Sequence, residues 1–147
     1  MKNYRQIKSL VILISVFILS ISTPVQSQFE ANDAIAELSI LQDKLDGQDN
    51  NEGNIKDVRE RSVALRADAL TCVDEIEPQV ETLKLEVEAL EQINPEVDIE
   101  IYERLSDARN RLTKEDAKLK NCSLTVVRSS RIIDLSNKLL NELRQSF

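Results

Sequence analysis

The sequence predicts an all-α protein: a long antiparallel helical hairpin forming a coiled-coil-like bundle, with a short first helix ahead of it. Three observations predict this. The chain has two Gly, three Pro, no Trp and no His in 147 residues. Leu, Glu, Ala, Asp, Lys, Arg and Ile carry much of it, a mixture that favours long helices and gives sheets little to work with. Apolar residues also recur at alternating spacings of 3 and 4 on both sides of Asn94-Pro95, and such a seam needs an apolar partner along its length.

Residues 1–27 have the three-part layout of a secretory signal peptide. Lys2, Arg5 and Lys8 form a positive start, Leu10 to Ile21 an apolar stretch broken only by Ser15 and Ser20, and a polar segment with Pro24 follows. Val25 and Ser27 fit the −3 and −1 positions of a cleavage site, which makes Gln28 the first mature residue. The apolar run is shorter than the roughly 18 residues that span a bilayer, which favours cleavage over an uncleaved anchor. No Cys lies near the site, so a lipoprotein anchor is not indicated.

Losing residues 1–27 removes three basic and no acidic residues from a chain with 19 Lys and Arg and 26 Asp and Glu, leaving a net charge of −10. A surface this acidic repels phosphate backbones and anionic headgroups, so nucleic acid is excluded as a partner. With few aromatics for a globular core, an elongated bundle is expected.

The mature chain divides into a short helix with a polar linker (28–54) and a hairpin domain (55–147). After a frayed lead-in over 28–32, Asn32 or Asp33 is placed to cap the first helix, whose face is Ala34, Leu38, Leu41 and Leu45. Gly47 ends it, and Gln48 to Asn54, containing Gly53, form the linker. From Ile55 the seam runs through Val58, Ser62, Leu65, Ala69, Cys72 and Ile76, then Val80, Leu83, Val87 and Leu90. The extra four-residue step from Ile76 to Val80 is a stutter with Pro78 inside it. Proline removes one helical hydrogen bond and disfavours helix at Glu77, so one bent helix and two helices meeting near Pro78 are both compatible with the pattern. Asn94-Pro95 then marks the hairpin turn. The second long helix starts around Asp98, with Tyr102, Leu105, Ala108 and Leu112 leading to Leu119, Cys122, Val126, Ser129, Ile133, Ser136, Leu140 and Leu143. Two long helices with complementary seams and a tight connection pack antiparallel.

Cys72 and Cys122 test the hairpin independently. Cys72 lies 20 residues before Gln92 and Cys122 lies 24 residues after Asp98. At about 1.5 Å per residue they stand roughly 30 and 36 Å from the turn, both on the seam. An even cysteine count in an exported chain favours a disulfide over two buried thiols, and this one would tie the helices together. Closing such a loop contributes roughly 2–4 kcal/mol. The 50-residue spacing excludes a CxxC redox pair, and two thiols without His make a poor zinc site, so no metal or cofactor is expected.

No catalytic residues are expected. Without His a general base would have to be a carboxylate, Lys, Tyr or Cys in a cleft, and a helical hairpin offers none for a small-molecule substrate. A Gly-rich phosphate loop and a nucleophile elbow are both missing. The clusters Asp74, Glu75, Glu77 and Glu86, Glu88, Glu91 have the spacing of a solvated helix face, as do Arg59, Arg61, Arg66 and Arg104, Arg109, Arg111. Ser123, Ser129, Ser130 and Ser136 have no base beside them in the pattern and read as small residues that let helices approach closely.

The stretch Cys72 to Phe147 carries Ile76-Glu77-Pro78-Gln79-Val80 with Leu83 and Leu90, the turn Asn94-Pro95-Glu96, then Arg104-Leu105. It goes on to Lys120-Asn121-Cys122-Ser123-Leu124 leading to Arg128, and a last helix from Ile132 to Phe147. It resembles the amino-terminal periplasmic helical domain, itself of unassigned function, that precedes the membrane region in long bacterial channels of the small-conductance mechanosensitive type. The match covers about half of the chain. Such channels continue into transmembrane helices and a pore, which the segment after residue 27 does not contain. The resemblance implies a non-catalytic periplasmic interaction or sensor module without the pore, whose partners are a membrane channel module, another protein or a second copy, met through helix packing. The alternative is a free-standing periplasmic coiled-coil adaptor or holdase-like chaperone.

Overall fold

In the computed structural model, which describes residues 29–47, 51–93 and 99–146, every regular element is a helix. They are α1 (Ala31–Asp46), α2 (Glu52–Gln92) and α3 (Ile99–Gln145). At about 1.5 Å per residue the two long helices run about 60 and 70 Å. They lie antiparallel: Cys72 meets Cys122, Arg59 meets Asn137 and Glu91 meets Arg109. This is the expected all-α hairpin bundle. The leader, the Ser27–Gln28 cleavage site and the Asn94-Pro95 turn lie outside the described residues.

The short helix packs lengthwise on one side of the hairpin, antiparallel to α2 and parallel to α3. Ala34, Leu38, Leu41 and Leu45 bury against Ile55, Val58 and Leu65 of α2 and Ile132 and Leu140 of α3. Burying each leucine contributes roughly 1.5–3 kcal/mol, enough to hold a 16-residue helix that would be marginal alone. Along this half of the hairpin the bundle has three helices. Beyond the level of Ile76 it narrows to two, held by a small cluster of Leu90, Leu105 and Ala108 with Val87 and Ile101.

Helix starts depart from the expected positions. α1 begins at Ala31, with Glu30 at the cap position and no side-chain cap, so neither Asn32 nor Asp33 caps it. The earlier start buries Ala31 beside the cysteines and packs Phe29 on the core, while Asn32 accepts a hydrogen bond from Asn121 Nδ2 at 3.0 Å. The second helix begins at Glu52, inside the expected linker, because the Asn51 side chain accepts from the backbone N–H of Asn54 at 2.9 Å.

α2 runs unbroken through Pro78, so of the two readings one helix is found and not two. Ile76, Val80 and Leu83 are buried on either side of the proline, and this packing opposes the lost hydrogen bond. Nearby side chains use adjacent carbonyls: Gln79 Nε2 donates to Glu75 O at 2.9 Å and Thr82 Oγ1 to Pro78 O at 2.8 Å.

The α3 seam is corrected in two places. Tyr102 is 61% exposed, and Ile101 packs in its stead on the Leu90 cluster. Farther along, Thr125 and Ile132 are buried while Val126 is half-buried, because α1 lies against α3 and widens its buried face on that side. No helix among the described residues is long and apolar enough to cross a membrane.

Candidate functional site: a clamped hairpin with one open flank

Cys72 and Cys122 form a disulfide with Cα atoms 6.1 Å apart, the pairing expected from their similar heights on the hairpin. Both residues are buried among Ala31, Ile76 and Val80, with Phe29, Val73 and Leu119 packed around them. The start of α1 therefore lies over the bond, at the level where three helices become two. Pro78 lies six residues farther along α2, beside a groove of about 410 Å³ shared with Leu83, Glu86, Arg111 and Glu115. Glu115 Oε2 is buried there without a hydrogen bond.

A second groove, of about 540 Å³, separates α1 from α2. Its floor includes Leu65, Cys72 and Ile76, and acidic side chains, among them Asp33, Asp68 and Glu75, line its rims. At one end Arg61 grips Glu37 through two nitrogens, Nη2 donating to Oε2 at 2.8 Å. The hydrogen bond from Arg61 holds the Glu37 carboxyl below its ordinary pKa, burial opposing it and the guanidinium charge adding to it. The same contact raises Arg61.

The remaining charged clusters are distributed over the surface. Glu86 and Glu91 pair with Arg111 and Arg109 across the hairpin, at 3.7 and 2.6 Å, while Asp74, Glu75, Glu77 and Glu88 are exposed. Among the described residues no group of three or more His, Cys, Asp or Glu is arranged to hold a metal ion. Ser129 and Ser136 are fully buried at the helix contact and donate to the carbonyls of Thr125 and Ile132 at 2.7 and 2.8 Å. They serve as the expected small contact residues, whereas Ser123 is exposed.

Two features escape the sequence pattern. The first is a set of polar ties between helices: Asn32–Asn121, Glu37–Arg61 and Arg59–Asn137, the last at 2.7 Å. The second is an apolar strip on the hairpin flank opposite α1. Val63 and Leu70 are 44% and 42% exposed, and Val73, Leu119 and Val126 are half-buried. The seven-residue spacings of Val63 with Leu70 and of Leu119, Val126 and Ile133 carry this signal, but arginines interrupt it on α2.

The fold and these contacts define a disulfide-clamped α-hairpin braced on one flank by a short helix. Comparison with protein-family models, with curated proteins and with solved structures finds no match to this chain.

Proposed function

We propose that the chain is a non-catalytic helical interaction module of an exported, periplasmic protein, acting by helix packing as the sensor or assembly part of a mechanosensitive channel system. The observation that carries this reading is the construction of the bundle. The α2 seam is filled mostly by Leu, Ile, Val and Ala side chains, the helices are tied by a disulfide, and Val63 and Leu70 stand exposed on the flank opposite α1. A holdase-like adaptor needs an open apolar groove for its clients, and the acidic rims of the groove between α1 and α2, among them Asp33, Asp68 and Glu75, weigh against that alternative. The resemblance of residues 72–147 supports the choice of a channel as the assembly served.

Fusing residues 28–147 to a related channel pore tests this by patch clamp. A shifted gating tension or altered subunit assembly is the expected result. An unchanged pore, together with tight binding of the chain to an unrelated periplasmic protein, would move the reading to an adaptor.

A further inference from the structure

The groove between α1 and α2 leads to the disulfide. Cys72 lines it and is 5% exposed, whereas Cys122 is fully buried on the far side of the bond. Elsewhere the bond is wrapped by Ala31, Val73 and Leu119. A thiol entering the groove therefore meets the sulfur of Cys72 first.

Charge decides which thiols enter. Disulfide exchange is carried out by the thiolate, an anion, and the groove sets Glu30, Asp33, Glu37, Asp68 and Glu75 against Arg61 and Lys118. Arg61 is taken up by Glu37. The other four carboxylates make no ion pair among the described residues, and only Lys118 opposes them.

We propose that Cys72 is a charge-gated modification site, which forms a mixed disulfide with small thiols bearing an ammonium group and resists anionic ones. This goes beyond the association reading and does not depend on it. The thiolate attacks Cys72 Sγ, the bond to Cys122 breaks, and Cys122 Sγ leaves with the bonding pair and takes a proton from water. One disulfide is exchanged for another, so no oxidant is consumed. Burial disfavours charge on the departing sulfur, and Lys118 offsets this. It stands one turn before Cys122 on the same face of α3, half-buried, with an ammonium that favours a thiolate nearby. The thiolate of aminoethanethiol has no net charge, whereas that of mercaptopropionate is negative at both ends. The acidic rims admit the first and repel the second.

Rates of disulfide loss in the folded, oxidised chain, measured under excess of each thiol and divided by its thiolate concentration, test the proposal. Aminoethanethiol should outpace mercaptopropionate by about tenfold more than it does on the urea-unfolded chain. Added salt should shrink that excess. Asp68→Asn with Glu75→Gln should cut it by about threefold or more, and Asp74→Asn with Glu77→Gln, acids that do not line the groove, should leave it. Loosening of the fold raises both rates, whereas removing the rim acids raises that of mercaptopropionate alone. Peptide mapping of the acid-quenched adduct should place the added thiol on Cys72. A rate ratio equal to that of the unfolded chain, indifference to Asp68→Asn with Glu75→Gln, or an adduct on Cys122 overturns the proposal. The channel fusion remains a separate test of the association reading.

Discussion

Ser62 is the residue that fits its surroundings least well. It is fully buried on the seam of α2, and its Oγ makes no hydrogen bond. Ser129 and Ser136, in equivalent positions on α3, return their hydroxyls to the carbonyl one turn back. A buried hydroxyl without a partner keeps its desolvation cost while the small side chain retains the benefit of close approach. Ser62→Ala should therefore raise the unfolding free energy by about 1 kcal/mol in urea titration. Ser136→Ala removes a hydroxyl that is already satisfied and should change stability less. A loss of stability in Ser62→Ala would mean that the hydroxyl has a partner in solution.

At the scale of elements, α1 is the piece whose attachment responds to pH. Its tie to α2 is Glu37–Arg61, and Arg61 holds the Glu37 pKa below the ordinary carboxylate value. A depressed carboxyl contributes stability in full above its unfolded pKa and loses it as pH falls through the folded one. Arg61, raised further by the same contact, stays protonated throughout and adds no step. With both side chains partly exposed the contribution is below about 1 kcal/mol. It should appear as a falling amide protection factor in α1 on acidification, beginning in the ordinary carboxylate range and complete below it. In Glu37→Gln the exchange should already be faster at neutral pH and should lack this acid step.

Elements also show how far the sequence could be read. The α2 seam from Ile55 to Leu90 was legible nearly residue by residue, because a helix packed along one line on one partner imposes a single stripe. So was the face of α1, and the disulfide followed from an even cysteine count and similar heights on a hairpin. Thr125 and Ile132 were not legible. Their burial depends on where α1 docks, a contact some ninety residues away in sequence, and local spacing carries no trace of it. Asn32 was misplaced because cap preference competed with burial of Ala31 and Phe29, and burial won. The open flank was obscured because Arg59 and Arg66 are interleaved with Val63 and Leu70, so the strip exists only across two helices taken together.

For the whole molecule, the clamp between Cys72 and Cys122 decides how a load travels. The bond closes a covalent ring with a sequence separation of 50 residues, and the far half of the hairpin, Pro78 included, is the body of that ring. Tension applied between Phe29 and Ser146 passes through the sulfur atoms and bypasses the far half of the hairpin. That half stays slack however hard the ends are drawn. Stretched in a force spectrometer, the oxidised chain should reach its full contour about 170 Å short of the reduced one, at roughly 3.3–3.6 Å per concealed residue. Equal contour lengths would mean that the cysteines are thiols and that the far half bears load with the rest.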